Sequence, residues 1–406
     1  MKIGVLTYHC PPNFGAQLQA ISTIGFLKRM GHEPVIINWY AKDLEEMYSH
    51  RIPKIQVCCH EEFTRNVFPL SRKCQTEDEL INEINSLCLD GIVAGSDALF
   101  KYTPLKIRRH FSKRRLKYVY NTALSCELID GNPFFGGFLE RLDRKTPAVV
   151  YAVSSQNCPF LMMNSSEKQK MKRALMHYRI ITTRDSWTKQ MVETVMKRNN
   201  ISVFPDPVFS FNRNNYIPLP PKEILVRKYN IKGDYVLLSF SDWYNNANYI
   251  NGIACELKNN GLQPVALPMP EKLFSADIET IVDLPLSPID WYALIVYSQG
   301  YIGERMHPIV TCLHNSIPFY SFDEYGVDGE GQKAYIPKSS KTYSIVSEAE
   351  FTENFFSYHD STRTMPSPDE VVERIISFNR LKCQSFAKHK ELEYEKGMMQ
   401  VLTSLY

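Results

Sequence analysis

Short, largely apolar runs recur along this chain, and most stop at a small, polar or charged residue. They occupy residues 3–7, 34–38, 91–97, 147–153, 180–183, 201–204, 235–240, 264–267, 280–282, 300–303 and 318–322. Runs this short, bounded by turn residues and lacking polar alternation, predict strands buried on both faces. The segments between several of them carry helical spacing instead. After the run at 3–7 comes a loop, then a helix with Leu18, Ile21, Ile24 and Leu27 on one face as far as Gly31, and the next strand begins at Pro34. A strand, a helix and a returning strand make the opening unit of a parallel, doubly wound sheet.

At 406 residues the chain exceeds one ordinary core, so two domains are expected. Residues 205–233 gather Pro207, Pro218, Pro220 and Pro221 while apolar periodicity weakens, which marks the passage between them. The expected fold is therefore α/β, with two facing Rossmann-like doubly wound domains and a cleft between them. The divisions are residues 1–215, residues 230–375, and a helical tail at 376–406. Residues 40–89 are irregular and locally charged and give no assignment. Residues 326–332, glycine-rich and acidic, read as a loop.

Composition excludes several function classes. A net charge of +3 is too mild for a nucleic-acid binder. The ten cysteines form no CxxC pair and no Cys/His zinc spacing, which fits reduced thiols in a cytoplasm. The first strand begins at once, without a signal-peptide core, and no run is long enough to span a membrane. A cytoplasmic protein is expected, with membrane contact at most peripheral. Residues 101–117 hold Lys106, Arg108, Arg109, Lys113, Arg114, Arg115 and Lys117. They suit either a solvated face or contact with an anionic membrane surface or lipid diphosphate.

In doubly wound sheets, ligands bind beyond the carboxyl ends of the strands. Asn13 and Gly15 follow the first strand, and Gly15 permits close backbone approach. Asp97 closes the run at 91–97, where it suits contact with a sugar hydroxyl, proton transfer, or the capping of a following helix. Arg184 follows the run at 180–183, with Asp185 or Ser186 as the next helix cap. The run at 300–303 leads into Glu304-Arg305-Met306-His307-Pro308, and apolar helical spacing follows at Ile309, Val310 and Leu313. Pro308 suits a first helical turn. His307 then stands at a helix mouth, where free N–H groups favour anions and disfavour imidazolium, leaving a neutral proton acceptor. The competing reading is a capping histidine beside a surface arginine.

Six motifs, in order, resemble the polysaccharide pyruvyl transferase family. They are Asn13-Phe14-Gly15-Ala16-Gln17-Leu18-Gln19, Val93-Ala94-Gly95-Ser96-Asp97, Tyr151-Ala152-Val153-Ser154-Ser155, Thr183-Arg184-Asp185-Ser186, Asp206-Pro207 and Arg305-Met306-His307. The chain departs from the family pattern in Gly303-Glu304 before Arg305 and in Ala98-Leu99-Phe100 after Asp97. The resemblance implies a GT-B-like fold and transfer of a pyruvyl group from phosphoenolpyruvate to two hydroxyls of a sugar. The product is a cyclic ketal. In that family the Arg-x-His element is the catalytic signature, which Arg305 and His307 match, and a further donor-holding Arg is matched by Arg184. His307 is then the expected proton carrier, with Arg305 and Arg184 the donor contacts. Asp97 is expected beside them as the catalytic group that orients an acceptor hydroxyl. Asn13, Gly15, Ser96 and Ser155 are the remaining candidate substrate contacts. The acceptor side is expected in the first domain and the donor side in the second.

The expected acceptor is a sugar in a lipid-linked polysaccharide precursor, which would bring the enzyme to the inner face of the membrane. No cofactor and no metal are expected. The rival readings are a GT-B-type nucleotide-sugar glycosyltransferase, with Glu304 or Asp323 enlisted for a ribose, and a non-catalytic carbohydrate-binding relative.

Overall fold

The computed structural model describes all residues except 104–106, 113–114, 121–122, 242–245, 324–326, 329–332 and 335–338. At 107–112, 115–120, 327–328 and 333–334 it describes the backbone alone. Two six-stranded parallel sheets organise the chain. The first contains β1 (Lys2–Leu6), β2 (Glu33–Ile36), β3 (Gly91–Ala94), β4 (Ala148–Val153), β5 (Ile181–Thr183) and β6 (Ser202–Val203). Its order is β2-β1-β3-β4-β5-β6. The second contains β7 (Tyr235–Ser239), β8 (Gln263–Ala266), β9 (Thr280–Ile281), β10 (Gly300–Gly303), β11 (Phe319–Asp323) and β12 (Phe355–Ser357). Its order is β9-β8-β7-β10-β11-β12. β3, β4, β7, β10 and β11 are buried at every residue, as their largely apolar sequences lead one to expect. The short edge strand β12 was not foreseen.

The helices of the first half are α1 (Phe14–Arg29), α2 (Lys42–Arg51), α3 (Lys54–Val67), α4 (Glu77–Leu87), α5 (Ser165–Leu175) and α6 (Ser186–Met196). The short α7 (Phe211–Asn214) and α8 (Lys222–Lys228) lie in the passage between the sheets. The second half adds α9 (Ala247–Asn259), α10 (Pro288–Val296), α11 (Met306–Asn315), α12 (Lys341–Glu348), α13 (Pro368–Ile376) and α14 (Arg380–Thr403). Asp185 caps α6 by accepting Thr188 N–H at 2.7 Å, one of the two caps anticipated there.

Residues 40–89, unassigned from sequence, form α2, α3 and α4. α3 escaped because its inward stripe is polar: Gln56, His60 and Thr64, spaced four apart, are its buried residues. Thr64 Oγ1 receives Gln17 Nε2 at 2.8 Å. The Gln56 amide grips Leu286, donating to its carbonyl at 2.8 Å and accepting its N–H at 2.7 Å. Leu286 belongs to the second half, so this stripe joins the two sheet units. Beside it, Phe14 stacks on Trp291 with centroids 5.4 Å apart. α1 is buried around its circumference, because one apolar cluster runs from Ile3 and Val93 through Leu18 and Ile24 to Leu294 and Ile309.

The terminal helix α14 does not trail as a free tail. It returns to the first unit, where the Tyr394 ring meets Phe26 and Tyr151 edge-on with centroids at 5.6 and 5.5 Å. Glu395 pairs with Arg29.

The basic stretch and the glycine-rich loop fall largely outside the described residues. The backbone at 107–112 pairs antiparallel with 115–120, and residues 326 and 329–332 are not described. All ten cysteines are free thiols. Among the described residues no helix is long and apolar enough to cross a membrane.

Candidate active site

The carboxyl ends of the two sheets meet, and the strand-end residues of both converge on Asp206. This carboxylate follows β6, is 2 % exposed, and accepts Arg184 Nη1 at 2.6 Å and Gln19 Nε2 at 2.5 Å through one oxygen. Its other oxygen accepts Val208 N–H at 3.0 Å. His307 Nε2, from the second unit, stands 3.9 Å from the same carboxylate. Arg184 Nη2 lies 3.8 Å from Asp97 Oδ1. Asp97, Arg184 and His307 are thus brought together, and Asp206 is the hub that sequence reading left without a role. A signal existed, since Asp206 closes a strand as Asp97 and Arg184 do.

Arg305 caps the N-terminus of α11, with His307 in the first turn and Pro308 beside it. Burial pushes the His307 pKa down to about 4; Asp206 and Asp97 pull it up, while Arg184 and Lys341 push it down. The ring is therefore neutral at physiological pH. A neutral ring was expected from the helix mouth, but removal from water is its leading cause.

The ring is held by a close approach across the interface. A Cβ built on Gly15 would stand 2.0 Å from His307 Cγ. Gly15 was expected to make room for a ligand; the structure uses that room for His307.

Asn13 and Asp97 shape their loops. Asn13 Oδ1 caps α1 by accepting Ala16 N–H at 3.2 Å. Asp97 caps no helix, contrary to one expectation. It forms an isolated parallel bridge with Val153 at φ 111°, its Oδ1 accepting Ala98 N–H at 2.7 Å. Arg305 also has a positive φ, 81°. Non-glycine residues in this region carry strain, which tends to persist where surrounding structure over-determines it.

Three candidates stand apart from the cluster. The Arg305 guanidinium is partly exposed at the cleft, with Nη2 3.7 Å from Glu271 and Nε 3.4 Å from Met269 Sδ. Ser96 is buried and donates to Ala152 O at 2.5 Å. Ser155 is fully buried, with Oγ 3.0 Å from Thr188 Oγ1. Ser96 and Ser155 therefore brace the strand ends.

The carboxylates that a nucleotide-sugar site would enlist are engaged in the second unit. Glu304 is 1 % exposed and accepts Ser241 N–H at 2.9 Å. Asp323 accepts the hydroxyl of Ser340, the N-cap of α12. A recess opens beside Arg184 and Asp206, also lined by Asp185, Met306 and Lys341. Lys341 had no sequence signal. Among the described residues no three His, Cys, Asp or Glu side chains are grouped to hold a metal ion.

Several solved structures share this architecture. Arabidopsis thaliana UGT89C1 complexed with UDP-L-rhamnose aligns with 100% of this chain and 99% of its own, at TM-score 0.52 and 10% identity. Glycyrrhiza uralensis UGT73P12 complexed with glycyrrhetinic acid 3-O-monoglucuronide aligns over 100% and 95%, at TM-score 0.51 and 7% identity. At such identities the likeness shows the fold alone, which is GT-B-like. No curated protein sequence matches the chain. The family profile described as polysaccharide pyruvyl transferase matches residues 13–324, a span holding Asp97, Arg184, Asp206, Arg305 and His307 but not Lys341. With that span covering most of its length, the chain belongs to the polysaccharide pyruvyl transferase family.

Proposed function

We propose that this transferase moves the pyruvyl group of phosphoenolpyruvate onto two hydroxyls of one sugar in a lipid-linked polysaccharide precursor, forming a cyclic ketal and releasing phosphate. The observation that carries the reading is the meeting of Arg184 and Asp97 from one sheet with a neutral His307 from the other. A cation, a carboxylate and a proton acceptor at one cleft match the needs of this reaction.

The first sugar hydroxyl adds to C2 of the enol phosphate, losing its proton as C3 gains one. The C2–O bond to phosphate then breaks, leaving an oxocarbenium-like carbon. The second hydroxyl closes the ring, and its proton leaves with the phosphate. Neutral His307 accepts the hydroxyl proton, and its conjugate acid can return a proton to C3. Asp97 orients the acceptor hydroxyl. Arg184 and Arg305 hold the donor's anionic groups from opposite walls, in the two-pronged manner that guanidinium allows.

The test combines binding and turnover. Phosphoenolpyruvate should raise the thermal midpoint, and nucleotide sugars should leave it unchanged. His307→Ala should lower turnover by about 10²–10⁴ while donor affinity is largely kept. Arg305→Lys should weaken donor affinity instead. A midpoint that answers to UDP-sugars and ignores phosphoenolpyruvate sinks the pyruvyl reading in favour of a glycosyltransferase.

A further inference from the structure

Lys341 is the first residue of α12, directly after its N-cap Ser340. Ser340 bonds the Asp323 carboxylate at the end of β11 and accepts Tyr343 N–H at 3.0 Å, which ties the start of α12 to the carboxyl end of the second sheet. This places Lys341 on the recess that Arg184, Asp185, Asp206 and Met306 also line.

The recess is also lined by a third cation, Lys390, which pairs with Glu348 and with Glu393 at 2.6 Å. Lys341 interacts electrostatically with Arg184 and Asp185 of the loop after β5, with Asp97 of the loop after β3, and with Arg305 at the mouth of α11. His307 feels its charge as well, and Asp206 also lines the recess, with one oxygen given to Arg184 and Gln19. Burial, then Arg184, hold the ammonium pKa down to about 8, with Arg305 adding to the effect and Asp97 and Asp185 opposing it.

Arg184 itself is 8 % exposed, and its Nε and Nη2 have no hydrogen-bond partner among the described residues. Two cations from different sheets thus border one recess at a mutual electrostatic cost, with buried donor groups on one of them. An anion between them reverses the sign of that cost. A tetrahedral oxyanion suits the pair, because guanidinium donates through a fixed fork and ammonium acts as a point charge.

We propose that Lys341 and Arg184 form the subsite for a phosphoryl group, so that Lys341 binds the phosphate of the donor and Arg305 is left to its carboxylate. This assignment rests on the pyruvyl-transfer reading. It is a binding role, set by an element that follows the part of the chain matched to the family.

The experiment compares wild type, Lys341→Met and Lys341→Arg by two readouts: thermal protection by inorganic phosphate, and KM and kcat for phosphoenolpyruvate from neutral to alkaline pH. Lys341→Met should lose the phosphate protection and raise KM roughly 10- to 100-fold, with kcat changed less. Wild-type kcat/KM should fall above about pH 8, as Lys341 deprotonates in the free enzyme. Lys341→Arg, which does not titrate, should keep donor binding and lose that decline.

Unchanged KM and phosphate protection in Lys341→Met would overturn the inference, as would a persisting alkaline decline in Lys341→Arg. If Lys341→Met fails to fold, the pH profile of Lys341→Arg decides. Phosphate protection that depends on Lys341 without any turnover of phosphoenolpyruvate would keep the subsite and discard the pyruvyl donor. Turnover indifferent to Lys341 would do the reverse.

Discussion

Gly15 and His307 are placed by each other. The glycine, at the start of α1, leaves no side chain between the first sheet unit and the imidazole, so the ring rests on its backbone. Gly15→Ala puts a methyl carbon 2.0 Å from His307 Cγ, and backbone on one side makes the ring the part that must move. A displacement of about 1 Å at a reacting group can cost on the order of 10² in rate. We therefore expect Gly15→Ala to fold with reduced stability and to lose turnover by about that factor, with donor affinity less affected. Steady-state kinetics with a melting curve checks this. Near-normal turnover in the folded variant would remove Gly15 from the positioning of His307.

The helices that matter most for the cleft are those whose inner faces do not look apolar. α3 joins the halves through amides and a hydroxyl, and α14 lies close against the first sheet unit at Gly397. A Cβ at Gly397 would meet the Phe204 ring at 2.6 Å. Phe204 directly precedes Pro205 and Asp206, so pressure there is passed to the carboxylate that holds Arg184. Overpacking of this kind typically costs about 1–3 kcal/mol. Gly397→Ala should lower the thermal midpoint and weaken donor binding together. A variant with a lowered midpoint but unaltered donor affinity would show that α14 supports the fold without reaching the site.

Across the whole molecule, burial keeps several histidines neutral. His307, His60 and His314 each have a pKa lowered to about 4, and burial also lowers that of His9. In the unfolded chain these rings take up protons near pH 6.5, the ordinary histidine value. Between about pH 6.5 and pH 4 the unfolded state therefore binds more protons than the folded one, so stability is lost as pH falls through that window. Each ring contributes up to roughly 3 kcal/mol by its lower limit. His314 also accepts Asn212 N–H at Nε2, at 3.4 Å, which a protonated ring cannot do. The thermal midpoint should fall steadily across this range. His314→Gln, which keeps an acceptor without a titrating ring, should make the decline shallower. A midpoint that holds level from pH 6.5 to pH 4 would contradict this account.

The strands were legible in the sequence because a strand buried on both faces is apolar at most positions. The runs at 91–97, 147–153, 235–240 and 300–303 accordingly became sheet, and their polar ends marked the cleft. The mouth of α11 was legible too, since Pro308 and the apolar spacing after it allow little else. The inner faces of α2 and α3 were hidden, because α2 buries Leu44 alone and α3 buries polar groups whose partners lie on α1 and beyond Leu286. Only tertiary structure gave Asp206 its place between Arg184 and His307, or brought Lys341 beside them. Those contacts join residues from two sheets, and no periodicity along one chain encodes which distant strand end will face which. Sequence determined the elements and the ends at which chemistry could sit. The packing of one sheet unit against the other decided which of those ends share a charge.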